Sequence, residues 1–401
     1  MSWTAATLKD VVITSGIQTG PFGSQLHAHD YTPTGVGVVM PQDLGDNVIV
    51  LDDMARIDPS RAKSLQRHRL VPGDIVFSRR GDVTKRSLIR DRDGDLICGT
   101  GCLRVRIDRD RANPAFIAAF LALPKTKEWL VRHAVGATMP NLNTAILGAV
   151  PLRVPELATQ DAIAEVLGAL DDKIAANQRL IAAITDLTLT RYQQLSPRPG
   201  RQTLAEITSI GGGATPSTKN PSLWDGDVAW ATPTDVTGLP GDWITATERT
   251  ISETGLKSIS SPLYPRGSIL MTSRATIGAF ALAAMPMTVN QGFIVLNAVD
   301  ASLQMWLYAQ LRSRVTEFKA WANGATFLEL SKSVFKKLPF HEASMEDMLA
   351  FSRTAQPLLL RSEQAQKENT TLTAVRDELL PQLMSGRITV KDAEKRVEEE
   401  V

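Results

Sequence analysis

Two long stretches of the chain carry apolar residues at alternating spacings of four and three. In the first, Ile163, Leu167, Leu170, Ile174, Asn177, Ile181, Ile184, Thr188, Arg191 and Leu195 fall on one stripe. In the second, Met348, Phe351, Ala355, Leu358, Ser362, Ala365, Asn369, Leu372, Arg376, Leu379 and Leu383 do the same. A stripe sustained this long predicts coiled-coil helices, over residues 158–196 and 343–386, rather than ordinary surface helices. Asn177 and Asn369 occupy matching places, and a polar residue in an apolar seam fixes register. Because both helices belong to one chain, they are expected to pair with each other. "SPRPG" (196–200) ends the first helix and Gly386 stops the second. Pro357 predicts a kink or a break in the second, since proline lacks the N–H and clashes with the preceding turn. A helix of about 36 residues is about 54 Å long, a rigid spacer.

Elsewhere the pattern changes to short β-prone runs, such as "VGVVMPQ", "DIVFS", "GSILMTS" and "GFIVLN", separated by Gly and Pro turns. Each half adds one helical stretch, "NPAFIAAFLALPKTKEWLVRHA" or "SLQMWLYAQLRSRVTEFKAWA". This predicts two α+β domains with twisted sheets, over residues 1–157 and 197–342, and leaves a charged tail over 387–401. The domains are copies of one plan. "LVPGDIVFSRRG" (70–81) returns as "LYPRGSILMTSR" (263–274), placing Gly73 on Gly267, Ile75 on Ile269 and Arg80 on Arg274 at one offset. "MPQDL" (40–44) matches "TPTDV" (232–236), and "GATMPNL" (136–142) matches "GATFLEL" (324–330). At a slightly longer spacing Thr19 falls on Thr215. Two copies make a duplicated domain, not a solenoid. The expected layout is globule, rod, globule, rod, with a pseudo-two-fold repeat.

Composition sets bounds on this plan. At 401 residues, 43% hydrophobic and 22% charged, the chain reads as a soluble globular protein of two or three domains. It has no apolar run of membrane-spanning length and no signal-peptide core, and Cys98 and Cys102 alone make no disulfide framework, so a reducing cytoplasm is expected. The net charge of +1 argues against a nucleic-acid binder until its distribution is counted. Residues 1–157 hold 20 Lys and Arg against 16 Asp and Glu, and residues 197–342 hold 13 against 11. The helical segments hold 3 against 5 and 4 against 6. Positive charge belongs to the globules and negative charge to the rods. That suits two nucleic-acid-reading domains on a spacer that share affinity with a partner, because phosphate contacts supply most of it.

The chain lacks a phosphate-loop motif and a dinucleotide fingerprint. "GGGATPS" (211–217) is a flexible turn, and "NPSLW" (220–224) lacks the second proline of an adenine-methyltransferase motif. His27, His29 and Asp30 have no second cluster to complete a metal site, and "CGTGC" has no further cysteines to build a zinc tetrad. No catalytic group and no metal are expected. What remains is a recognition surface. "GIQTGPFGSQLHAHDY" (16–31) offers hydroxyls, amides and imidazoles, and Ser78 to Arg92 holds six basic residues against two acidic. Such side chains meet base edges and phosphates.

The ordered set "GIQTGPFGS", "PGDIVFSRRG", "PRGSILMTSR", "LPF" at 338 and "ELLPQLMSGRI" (378–388) resembles the specificity subunit of type I restriction–modification systems, from Leu8 to Ile388. The resemblance implies two target-recognition domains, each reading half of a split, asymmetric site in double-stranded DNA. It implies that the paired helices, through Leu167, Leu170, Ile174, Asn177, Ile181, Asn369, Leu372 and Leu379, space the domains and form the helices that bind two methyltransferase subunits. Those partners would use S-adenosylmethionine to methylate adenine, restriction or translocase subunits would join in systems that have them, and this chain would carry no cofactor. Expected DNA contacts are Thr19, Ser24, Gln25, Arg79, Arg80, Lys85 and Arg86 in the first domain, and Thr215, Ser217, Lys219, Arg274 and Lys332 in the second. Two rival readings are a stand-alone DNA-binding regulator and a targeting subunit of another phage-defence complex.

Overall fold

The run Asp74–Ser78 is buried along its whole length, which explains its continuous apolar character: a strand covered on both faces does not alternate. Gly73 precedes it with φ +96°, and Gly267 stands at φ +86° before the equivalent strand, Ile269–Thr272. The repeated glycine is therefore a turn position that a side chain would strain. Asp74, fully buried, is held by two hydrogen bonds of 2.7 Å from the Arg106 guanidinium on the neighbouring strand.

A computed structural model of the chain describes residues 3–400 apart from Ser24, Asp46, Asp52, Ala137 and residues 323–327. It divides into two units, residues 1–172 with 373–401, and residues 173–372. In the first unit an antiparallel sheet runs in the order Val12–Thr19, Cys102–Ile107, Asp74–Ser78, Arg86–Leu88. A second sheet runs Tyr31–Thr32, Arg56–Ile57, Val36–Val39, Leu96–Cys98, its last pair parallel. In the second unit the order is Thr208–Gly212, Phe293–Ala298, Ile269–Thr272, Phe280–Ala283, with Trp243–Ile244 added in parallel. Its smaller sheet runs Arg249–Ile251, Trp224–Ala231, Met287–Val289, again ending in a parallel pair. Each unit thus repeats one strand order, and the fold is α+β as expected.

Local chemistry repeats with it. The Asp10 carboxylate accepts from the Thr7 N–H at 2.8 Å and the Glu206 carboxylate from Thr203 at 2.7 Å, the first-turn capping interaction at the start of each copy. "MPQDL" and "TPTDV" are a second such pair: Asp43 accepts from the Met40 N–H and Asp235 from the Thr232 N–H, both at 2.7 Å.

The long helices span Leu157–Gln194 and Met345–Met384. Within the first unit Ile163, Leu167 and Leu170 are buried, as are Leu379 and Leu383. Within the second unit the seam buries Ile181, Ile184 and Thr188 with Ala355, Ser362, Ala365 and Leu372. There the helices run antiparallel. The Asn177 side-chain amide donates to Asn369 Oδ1 at 3.0 Å and to Glu368 Oε2 at 2.9 Å, and Tyr192 packs on Phe351 at the other end. Ile174 is half-buried, and its carbonyl accepts from Asn369 Nδ2 at 3.3 Å. Tyr192, not Arg191, is buried at the C-terminal end of the first stripe.

Two expectations are corrected here. Of the kink or break expected at Pro357, the break does not occur: the second helix is continuous over 40 residues. Pro357 faces outward between buried Ala355 and Leu359, so packing on both sides offsets one missing backbone bond. Leu167, Leu170, Asn177, Ile181, Leu372 and Leu379 are at most 5% exposed. They are consumed by packing within the chain and offer no surface to a partner. Among the described residues no helix is long and apolar enough to cross a membrane.

Candidate nucleic-acid interface

In the first domain one end of the main sheet gathers the predicted loops. Gly20 crosses Gly99 so closely that a Cβ would lie 1.9 Å from its carbonyl oxygen, which explains the glycine after Thr19. The Arg79 N–H donates to Gly101 O at 2.8 Å, and the Arg79 carbonyl accepts from Leu142 N–H at 2.9 Å. Arg80 forms an isolated antiparallel bridge with Asn141. The Arg79 guanidinium stands 5.7 Å from the ring of Phe22, an aromatic residue 53% exposed. Thr19 is half-buried beneath this cluster, while Gln25 and Arg80 are exposed. The Gln25 side chain is partly committed, its oxygen accepting from the Phe22 N–H at 3.3 Å.

Lys85 is exposed at the base of the same hairpin. Asp82 shapes its tip: the Thr84 hydroxyl donates to Asp82 Oδ1 at 2.6 Å and holds the carboxyl below its ordinary range. Arg86 is a correction. Its side chain is 2% exposed and turns inward, with Nε donating to the Ala118 carbonyl at 3.2 Å. The strand Arg86–Leu88 is buried along its whole length, so residue 86 cannot touch DNA. Ser24 lies outside the described residues.

The second domain builds the same corner. Ser273 N–H donates to Gly292 O at 2.8 Å and Leu330 N–H donates to Ser273 O at 3.0 Å, the counterparts of the Arg79 bonds. Arg274 bridges Glu329 and lies 2.9 Å from its carboxylate. The ladder register corrects one equivalence. Thr19 pairs with Leu103, and the residue in that place of the second sheet is Gly212, paired with Ile294, not Thr215. Gly213 then matches Gly20, its Cβ position 1.9 Å from Val289 O. Lys332 fills the room above Gly212, its Nζ 1.9 Å from where a Cβ would stand. A lysine in the second domain thus occupies the place of a threonine in the first.

Thr215, Ser217 and Lys219 share an exposed loop. Thr215 Oγ1 donates to Gln291 Oε1 at 2.6 Å, and the Ser217 carbonyl accepts from the Trp224 indole at 3.2 Å. Beside it Arg249 stacks 3.6 Å over Trp224. Phe22, Asn141, Glu329, Gln291 and Arg249 escaped the sequence reading. Asn141 and Glu329 lie inside the repeated "MPNL" and "FLEL", the one signal that could have flagged them.

The corner is suited to binding rather than covalent chemistry. Among the described residues no group of three metal-ligating side chains forms. Burial pushes the Cys98 thiol up to about 12, so it is neither nucleophile nor ligand at neutral pH.

The comparisons agree with one another. The family described as "Type I restriction modification DNA specificity domain" matches twice, at residues 66–186 and 201–345. The MjaIX specificity subunit of Methanocaldococcus jannaschii is 34% identical over 178 residues, covering 44% of this chain and 41% of that protein. The chain therefore spans less than half the length of that relative. The HindI specificity subunit of Haemophilus influenzae is 22% identical over 399 residues, covering 79% of this chain and 86% of that one. The crystal structure of a type I restriction–modification S subunit from M. genitalium superposes with TM-score 0.64 at 17% identity, over 96% of each chain. That likeness is one of fold. With its two matched domains, the chain belongs to the type I restriction–modification DNA specificity family.

Proposed function

We propose that this chain is the specificity subunit of a type I system: it recognises a split, asymmetric site in double-stranded DNA and directs adenine-methyltransferase subunits, and where present restriction subunits, to it. The supporting observation is the duplicated corner. Two domains in one chain carry equivalent strand orders and set Arg80 and Arg274 on equivalent bridges. Two similar but non-identical readers on one chain suit a site of two different halves. Their side chains differ where they would meet bases, with Arg79, Arg80 and Asn141 against Ser273, Arg274 and Glu329, so the halves should differ in sequence.

Recognition is division of labour. Thr19, Gln25, Arg80 and Lys85 in one domain, and Thr215, Ser217, Lys219, Arg274 and Lys332 in the other, offer the donors and acceptors that read base edges or fix phosphates. The chain itself performs no bond chemistry. The S-adenosylmethionine and the transferred methyl group belong to the partner subunits, which dock on the outer faces of the helices. The 38-residue first helix, about 57 Å at 1.5 Å per residue, supplies a stiff element to set the gap between half-sites.

Selection from a random duplex pool by the assembled complex tests this. Two short conserved blocks with an invariant gap are expected. A single contiguous site bound by the chain without methyltransferase would instead establish a stand-alone regulator.

A further inference from the structure

Arg80 and Arg274 stand on equivalent backbone, yet their cross-strand neighbours differ. The neighbour is Asn141 in the first domain and Glu329 in the second. The Asn141 backbone is locked by two bonds with Val135, of 2.9 and 3.0 Å, so its side chain is presented from a fixed base. Neither the Asn141 carboxamide nor the Arg80 guanidinium is bonded to another described residue. In the second domain Arg274 Nε lies 2.9 Å from Glu329 Oε1, with 47% and 42% of the two side chains exposed.

An exposed ion pair adds little to folding, so Glu329 is not there to hold the domain together. Its chemistry toward DNA is more telling. A lone arginine is drawn to any phosphate within reach, whereas an arginine paired with a carboxylate has little net charge and a fork held in one orientation. Asparagine reads adenine with two hydrogen bonds, arginine reads guanine, and a carboxylate repels phosphate.

We propose that the cross-strand position occupied by Asn141 and Glu329 determines base choice in each domain. In the second, Glu329 is a positioning residue that keeps Arg274 on a base edge and off the phosphates. In the first, Asn141 reads a base edge itself and no carboxylate at this position holds Arg80. This rests on the DNA-reading function proposed above.

The test uses the full chain assembled with its methyltransferase subunits, comparing wild type with Arg274→Ala, Glu329→Gln and Asn141→Glu. Each is read by its methylated motif, its salt dependence of DNA binding and its melting temperature. Arg274→Ala should lose discrimination at one position of one half-site by roughly 10- to 100-fold. Glu329→Gln should relax the same position about tenfold, strengthen binding to unrelated DNA and steepen the salt slope by about one charge, with an unchanged melting temperature. Asn141→Glu should alter only the other half-site. If Glu329→Gln leaves motif and salt slope unchanged while Arg274→Ala alters a position, the positioning role is refuted and DNA reading stands. If neither variant alters the motif, the position does not determine base choice. If wild type directs no methylation motif at all, the functional reading itself fails.

Discussion

Arg80 and Arg86 belong to one hairpin, the first exposed in its turn and the second buried on its strand, and their substitutions should separate binding from folding. Arg80→Ala should weaken specific binding by about 1–3 kcal/mol and relax one base position if Arg80 reads guanine, or weaken all sequences alike with a shallower salt slope if it touches phosphate. Equal affinity for every sequence at every salt concentration would remove Arg80 from the interface. Arg86→Ala should instead leave the Ala118 carbonyl without its donor inside the domain, at a cost of about 1–3 kcal/mol in denaturant unfolding. The sequence offered both as equal members of a basic cluster. Charge runs do not reveal burial, and what separates the two is that residue 80 sits in an exposed turn while residue 86 starts a strand covered on both faces. The same blindness set Thr19 against Thr215: both are hydroxyls near the same glycines, while the ladder places Gly212 there and lets Lys332 fill the room.

At the scale of elements, heptad spacing announced both long helices and the Asn177–Asn369 contact, because a period in the chain is a stripe in space. Of the kink or break expected at Pro357, the break is absent for the complementary reason. A single missing hydrogen bond on an exposed face is small against two flanking buried turns. Asn177→Leu should cost about 1 kcal/mol, since it removes the buried amide that now serves the half-buried Asn369 and Glu368 oxygens. Leucine at both 177 and 369 should recover much of that loss while loosening the register. Urea unfolding of the two variants side by side decides this, and equal stability of single and double variants would count against a register role.

The molecule as a whole carries one buried imidazole or near-buried imidazole in each domain. Burial, with the neighbouring Arg67 and Arg104 charges, lowers the pKa of His68, and burial with Arg314 lowers that of His341. Both bind protons less readily in the folded domains than in the unfolded chain. Stability from this source is therefore full above about 6.5 and falls as pH drops below that value toward the folded pKa values. Unfolding midpoints measured from pH 7.5 down to 5 should decline. His68→Gln and His341→Gln should each flatten the decline, and an unaltered slope in both would exclude these residues as its source.

The central claim concerns targeting, and the adenine-methylation map of the host genome with and without this gene tests it most directly. Loss of one motif made of two short half-sites at a fixed gap is the predicted result. An identical map in both strains would contradict it.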